Sequence, residues 1–436
     1  MKNKIKLALV ATLALGATSA FATNGSNLIA TGSTARAMGG VGIGTAHGAE
    51  SALANVALMN SVESNEVAFG GMFFMPDVSN TDGVNLTAYG LANESSSANS
   101  ASDLNVIPEV SIASKMSDTM HLGIGIWGTA GMGVDYRDED DKGQLNMVTN
   151  LQLMQFALPI AYSKNGFSVG VTPILQYGSL DINYNLSVDI QKAMVAGNMQ
   201  AQGETDMAVI GAEMNKVTAD RNVGAGVAQD LEFGYNIGAA YTYKGLTLGA
   251  VYKAQIDMEY DGVLTTTVGG MVPGYSNDKL STPEEAGVGI SYKYNQHTVG
   301  VDYKYINWDQ AKGYQDFDWE DQKVVAFGYE YKAKAWAFRA GYNHATSPIS
   351  EQSLTSTNSA GLSGGVSNTF NALGFPGVIE SHYTFGGEFQ VREFTTVAFA
   401  VVYAPEVEET FKNFLQQDIT VTHGQTSFSF DVKYAF

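Results

Sequence analysis

The last ten residues read SFSFDVKYAF, Ser427 to Phe436. On an extended strand Phe428, Phe430, Val432, Tyr434 and Phe436 share one face, while Ser429, Asp431, Lys433 and Ala435 share the other. In water such a strand at a sheet edge invites aggregation. In an outer-membrane barrel the apolar face meets lipid, the polar face meets the lumen, and pairing with the first strand abolishes both edges. The stretch therefore predicts a closed barrel of which it is the last strand.

Thirteen further segments carry the same alternation, at about 66–75, 108–116, 119–128, 152–163, 167–186, 231–243, 246–260, 284–294, 296–308, 322–332, 335–344, 380–391 and 394–403, with the last strand at 426–436. In the hairpin at 288–305, Val288, Ile290, Tyr292, Val299, Val301 and Tyr303 oppose Gly289, Ser291, Gly300, Asp302 and Lys304. The connections alternate between tight turns (Ser117-Asp118, Lys164-Asn165-Gly166, Lys244-Gly245, Asn295, Ala333-Lys334, Arg392-Glu393) and long ones (76–107, 129–151, 187–230, 261–283, 309–321, 345–379, 404–425). Short periplasmic turns and long extracellular loops produce this asymmetry, and an even strand number keeps both ends in the periplasm. The fold class expected is an all-β, 14-stranded antiparallel transmembrane barrel.

The amino-terminus supplies an address and a plug. Lys2, Lys4 and Lys6, an apolar run from Leu7 to Ala17 and Ala20-Phe21-Ala22 predict a signal peptide over residues 1–22, too short to anchor in a bilayer. Residues 23–65 precede the first strand and are rich in Gly, Ala, Ser and Thr; Gly48 to Asn60 has helix formers with Leu53, Val56 and Ala57 on one side. This segment reads as a partly helical hatch inside the lumen, with residues 66–436 forming the barrel. A nucleotide-binding reading of Gly39 to Gly44 fails for want of a preceding strand and a ribose acceptor. With 48 Gly, 22 Tyr, 21 Phe, no Cys and 16% charged residues the composition suits aromatic-girdled strands, and the net charge of −20 argues against nucleic acid as a partner.

Several stretches resemble the outer-membrane transporters of long-chain fatty acids and other hydrophobic compounds, the FadL/TodX type. They include Ser33 to Gly40, Asn150-Leu151-Gln152 with Pro159 to Tyr162, Thr282-Pro283-Glu284, Val301-Asp302-Tyr303 with Asn307-Trp308, Arg339 to Tyr342 with Ser347-Pro348-Ile349, His382 to Gly386 and Tyr403 to Glu406. The resemblance implies a monomeric 14-stranded barrel in the bacterial outer membrane that captures hydrophobic solutes in its extracellular loops and releases them sideways after the hatch rearranges. Thr23, Asn24, Arg36, Gly39, Gly40, Asn55, Val56 and Ala57 are the hatch residues so implicated. Similar proteins carry Asn-Pro-Ala where this chain has Asn55-Val56-Ala57, so a different or more mobile local turn is expected. Gly123, Gly125, Trp127 and Gly128 are assigned to a kink in the third strand that opens the wall. Met194, Val195, Met207, Val209 and Ile210 are assigned to an apolar loop groove.

A fatty acid calls for a cation, and Lys253 and Arg339 face inward by alternation, although such lumenal charges also pair with wall carboxylates. Fatty acid and neutral hydrocarbon both remain candidate solutes. No enzyme, cofactor or bound metal is expected: the six histidines have no triad spacing. The acidic run Asp138-Glu139-Asp140-Asp141 could hold divalent ions that bridge lipopolysaccharide. Outer-membrane lipid and, through the C-terminal strand, the barrel-assembly machinery are the expected partners. A general diffusion porin or a structural, adhesive barrel is the alternative.

Overall fold

The structure, a computed structural model, describes residues 24–84, 87, 91, 94–137 and 143–436. The signal sequence over 1–22, Thr23 and the acidic run at 138–141 lie outside the described residues. Fourteen antiparallel strands close a barrel: β1 Asn65–Val84, β2 Asn105–Lys115, β3 Met120–Asp135, β4 in two pieces (Val148–Ala157 and Ile160–Lys164), β5 Phe167–Leu186, β6 Ala228–Tyr243, β7 Leu246–Lys253, β8 Glu284–Tyr294, β9 His297–Asn307, β10 Gln322–Lys332, β11 Trp336–Ala345, β12 Ser381–Arg392, β13 Thr395–Lys412 and β14 Asp418–Ala435. Every neighbouring pair in this order is hydrogen-bonded, and β14 returns to β1 from Glu66 opposite Ala435 to Asp82 opposite Ile419. The last residue completes the seam, Phe436 N donating to Asn65 O at 2.9 Å. No helix among the described residues is long and apolar enough to cross a membrane; the strands do so, with Val288, Ile290, Tyr292, Val299, Val301 and Tyr303 exposed on the outside and Asp302 and Lys304 buried within.

The tight turns are chemically well chosen. Asn165-Gly166 and Lys244-Gly245 hold positive φ at both central residues (54° and 81°, 45° and 85°), the twist-matched geometry of two-residue hairpins.

The long loops at 76–107 and 404–425 were overestimated. β1 continues to Val84, a further strand Glu94–Asn99 pairs with its upper end, and β13 and β14 continue to a short turn between Lys412 and Asp418. These extensions stand in rows of hydroxyl pairs, Thr410 with Thr420 at 2.9 Å and Thr81 with Ser97 at 3.0 Å. Cross-strand hydroxyl contacts stabilise a sheet without apolar alternation, so the periodicity signal stops where lipid stops while the strand goes on.

Residues 24–64 fold into the lumen. Helix Ser33–Ala37 is wholly buried, and Gly48–Glu50, Ser51–Ala54 and Val56–Ser61 form three short helical turns. Asn55 joins these to the wall: its side chain accepts from Ala57 N at 3.1 Å and donates to Ile43 O and, on β6, Ala239 O. Val56 takes the first helical position, where the missing proline would have sat and where a backbone N–H is not needed by the helix. The asparagine side chain thus fixes the turn that proline would otherwise preset.

Candidate functional site

Polar clips, several of them charged, fasten the hatch to the wall. Asp302 of β9 accepts from Gly42 N and Ile43 N at 2.7 Å each and from Gly44 N at 3.3 Å, so the glycine-rich loop spends its N–H groups on a wall carboxylate. Arg36 and Glu109 form a doubly hydrogen-bonded ion pair, with Arg36 Nη1 donating to Glu109 Oε2 at 2.9 Å. Ser33 N donates to Asp431 at 2.8 Å. Lys433 holds Glu50 at 3.0 Å and also bonds Thr34. Burial pushes the Glu50 carboxyl up, but Lys433 and Thr34 outweigh it and hold the group below the usual range. At Gly39 (φ 70°) a Cβ would lie 2.6 Å from the Phe327 carbonyl oxygen, so this glycine lets the hatch touch β10 and β11 directly.

Beneath the hatch lies a charged vestibule of about 540 Å³, bounded by residues such as Glu66, Lys293, Lys332 and Glu393. Arg339 belongs here. It bridges Glu330 and Glu388 at 2.7 Å each, and Lys332 adds a bond to Glu388 at 2.8 Å. Arg339, anticipated as a ligand anchor, thus lines the vestibule with its charge compensated by two glutamates.

Above the hatch a smaller chamber of about 80 Å³ is walled by Leu28, Ile43, Trp127, Lys253, Glu285 and Lys304, among others. Lys253, the other anticipated cation, lines it but is paired with Glu285 at 2.9 Å. Lys304 was not singled out, although alternation along 299–305 puts it on the lumen face with Asp302. Trp308, Tyr314 and Trp319 pack edge-on or tilted against one another at 4.6–5.0 Å between centroids. Gly25 lies against both indoles, and Tyr314 OH donates to Ser26 Oγ at 3.0 Å.

The chamber meets the wall at a break in the sheet. β2 and β3 pair from Lys115 opposite His121 to Glu109 opposite Trp127, and there the ladder ends. The next residue on β2 is Pro108. The Ile107 carbonyl faces Gly71 of β1, so the Pro108 nitrogen, without a hydrogen, faces β3. On β3 a bulge inserts one residue between Gly128 and Ala130 against β4. The edge of β3 left by β2 is taken up by the first described residues: Leu28 N donates to Thr129 O at 3.2 Å, Gly131 N to Ser26 O at 3.1 Å, and Asn27 bridges Ala130. Higher up, Ala101 N donates to Asp135 O at 2.8 Å and closes the frame.

Of the four residues assigned to a kink in this strand, Trp127 and Gly128 adjoin the break and two lie below it. Gly123 and Gly125 stand in the unbroken part of the ladder, opposite Ala113 and Ser111. They make room inward, Gly123 for the Met59 side chain of the hatch and Gly125 for the Trp127 indole. Trp127 and Gly128 mark the lower margin of the break. Pro108 was readable as an N–H missing from a strand, but its effect depends on which neighbour it faces, and pairing direction is not local information.

In the loops, helices Val188–Ala201 and Met207–Met214 pack through Ala196, Ile210 and Met214. Ile210 is thus the buried contact between them, Met194 and Val195 are partly buried, and Met207 and Val209 are exposed. Tyr184 OH donates to Thr267 O at 2.6 Å and links this region to the 261–283 loop.

A family profile described as outer membrane protein transport protein (OMPP1/FadL/TodX) matches residues 7–357. The chain belongs to the OMPP1/FadL/TodX family. Among solved structures it is similar to a FadL homologue of Pseudomonas aeruginosa (17% identity, TM-score 0.71, covering 94% of this chain and 100% of the other). It is also similar to the toluene transporter TodX of P. putida (16%, 0.65, 94% and 99%) and to the monoaromatic hydrocarbon channel CymD (17%, 0.61, 94% and 99%). No curated protein matches. At these identities the structures share the fold; family membership and barrel together place the protein in the bacterial outer membrane and its work in the transport of hydrophobic compounds.

Proposed function

We infer that the chain takes up hydrophobic solutes, long-chain fatty acids or hydrocarbons, through its extracellular loops and releases them sideways into the membrane between β2 and β3. The observation that carries this reading is the upper edge of β3, which is paired with residues 26–28 and not with β2, directly beside the chamber. The straight axial route supports it by contrast. A solute leaving downward would have to cross the hatch and then a vestibule of lysines, arginine and glutamates, where an apolar tail gains nothing. The 24–28 segment is the gate in this scheme, held to β3 by few hydrogen bonds, with Leu28 packed against Met72, Phe74 and Ile107.

The gate can be locked. Cα atoms of an antiparallel pair lie about 4.5–5.5 Å apart, within the span of a disulfide. The chain has no cysteine, so Asn27→Cys with Ala130→Cys introduces a single crosslink. Uptake of labelled oleate or toluene by cells without their own hydrophobic-solute transporter should stop when the pair is oxidised and recover on reduction. Uptake indifferent to the crosslink would sink the lateral route.

The loop positions follow the same logic with a smaller effect. Met207→Ser with Val209→Ser removes exposed apolar surface from the outer helix, leaving buried Ile210 in place. The apparent solute concentration for half-maximal uptake should rise, by about tenfold for two lost apolar contacts, while maximal uptake is retained. An unchanged half-saturation would place capture elsewhere on the loops.

A further inference from the structure

The short-turn end of the barrel carries charge of the opposite sign to the chain as a whole. Acidic residues outnumber basic ones by 44 to 24, yet four consecutive turns are basic and contain no carboxylate. They are Lys164-Asn165-Gly166 between β4 and β5, Lys244-Gly245 between β6 and β7, residues 293–297 between β8 and β9, which open on Lys293, and residues 332–335 between β10 and β11, with Lys332 and Lys334. The five lysines are exposed, and among the described residues only Lys332 of these has an ion-pair partner, Glu388 at 2.8 Å. The other two turns at this end are neutral: Lys115 pairs with Asp118 at 3.2 Å between β2 and β3, and Arg392 is followed by Glu393 between β12 and β13. The cations therefore form an arc over β4 to β11 that stops short of the break between β2 and β3.

Each of these turns sets a lysine beside an exposed aromatic ring of the outer face. Lys164 shares the outward parity of its strand with Tyr162, the Lys244 ammonium lies 5.1 Å from the centre of the Tyr243 ring, Lys293 adjoins Tyr294, and Lys334 stands two residues before Trp336. Tyrosine and tryptophan settle at head-group depth, so the neighbouring ammonium groups are held at the level of lipid phosphates. The short turns face the periplasm, and the leaflet they meet is the inner, phospholipid one. We propose that Lys164, Lys244 and Lys334, continued by Lys293 and Lys332 at the mouth of the vestibule, form a docking surface for the head groups of anionic phospholipids. The surface is a row of separate sites. Strands lie about 4.8 Å apart, so successive turns are about 10 Å apart along the rim, beyond the ~8 Å over which charges act at physiological ionic strength. Each turn thus answers to its own lipid, with the ring against the acyl chain and the ammonium on the phosphate. A zwitterionic head group offers the same phosphate but brings a cation that the lysine repels, whereas a net anion brings none. One lysine at a membrane surface supplies a preference of about fivefold. Lipids held on the arc fix the depth of the β4 to β11 side and leave the wall at the break unoccupied.

Trp336 reads the arc directly. Of the four tryptophans it alone is exposed, at 44%, while Trp127, Trp308 and Trp319 are buried. Bromine on an acyl chain quenches an indole only on contact. Full-length protein in bilayers that mix brominated phosphatidylglycerol or brominated phosphatidylcholine with unbrominated lipid therefore gives the relative occupancy of the site beside Trp336. Phosphatidylglycerol should be preferred about fivefold at low salt and less than about twofold in 1 M salt, where the screening length falls to ~3 Å. Lys332→Gln with Lys334→Gln should abolish the preference at low salt. A reporter in the neutral sector, Phe394→Trp in a Trp336→Phe background, should show none, although Phe394 is exposed to a similar degree beside Arg392 and Glu393. Equal occupancy by the two lipids at Trp336 overturns the proposal, as does a preference that survives the double substitution or 1 M salt. An equal preference at position 394 overturns the arc, because attraction would then be general to the rim. Should the double variant fail to fold, the salt series and the reporter at 394, with all five lysines in place, decide the matter.

Discussion

Removal of residues 23–60 turns the barrel into a steady, cation-preferring pore in planar bilayers, where the intact protein conducts little. The hatch fills the lumen between the 80 Å³ chamber and the 540 Å³ vestibule. Without it the two volumes join. The seam residues Asn65 and Phe436 and the β1–β14 ladder do not depend on it, so the wall can still close. The sign of the selectivity follows from the clips. Deletion strips Glu109 of Arg36, Asp431 of Ser33 N, Asp302 of the Gly42–Gly44 amides and Glu66 of Ala49 N, while on the basic side it releases Lys433 from Glu50. Four carboxylates against one ammonium leave the open lumen negative, and a charged ring of this sign favours cations. Conductance and reversal potential in a salt gradient measure both effects. Selective solute uptake should be lost at the same time, since the chamber loses Leu28, Ile43 and Leu53. Conductance equal to that of the intact chain would refute the plug and bring a structural barrel forward; anion preference would refute the charge reading of the clips.

Much of this arrangement could be read from the sequence because lipid imposes a strict period. Where a strand faces hydrocarbon, every second residue must be apolar, and the pattern from Val288 to Tyr303 or from Phe428 to Phe436 follows directly. The strands were lost from view above Met75 and Tyr403, where water lies on the outside and threonine and serine pairs replace valine and phenylalanine. The glycine-rich segment was legible as a plug by its small residues and absent strand, but its fastening was not. Asp302, Glu109, Asp431 and Lys433 sit on strands between 73 and 399 residues from the amides and side chains they hold, and nothing in their neighbours distinguishes a clip from an ordinary lumenal charge. The candidate site was harder still. Glycines at 123 and 125 gave a plausible weak point, yet their missing side chains are filled by Met59 and Trp127, and the actual break comes from Pro108 and a bulge whose position depends on register. Arg339 and Lys253 were found by parity alone. Parity places a charge inside the barrel without saying on which side of the hatch it lies or whether a glutamate has reached it first.

Replacement of Arg36 by leucine destabilises the hatch by about 3–5 kcal/mol, while the double replacement Arg36→Leu, Glu109→Leu recovers most of that loss. Both side chains of this pair are buried, at 1% and 4% exposure. Glu109 also accepts from Gly32 N at 3.0 Å, and Arg36 Nη1 reaches Ser429 Oγ at 3.2 Å. Leucine at 36 therefore abandons a carboxylate in a water-poor lumen, which costs more than the pair was contributing; removing both charges takes the abandoned anion away. The position gives the loss a functional reach. Glu109 is the last β2 residue paired with β3, opposite Trp127, so it fixes the lower corner of the break and the start of the hatch at one point. Only three residues separate Leu28, at the edge of β3, from Gly32. When Glu109 stops holding Gly32 and Arg36, the 24–28 segment loses its nearest fixed point, and its few bonds to Thr129 and Gly131 must hold the gate by themselves. Arg36→Leu should accordingly show a lowered urea midpoint for hatch release, faster protease cleavage before Ser33 and raised ion leak, with all three moving back toward wild type in the double variant. A double variant as unstable as the single would mean that the hydrogen bonds to Gly32 and Ser429, and not the stranded charge, carry the energy of this corner.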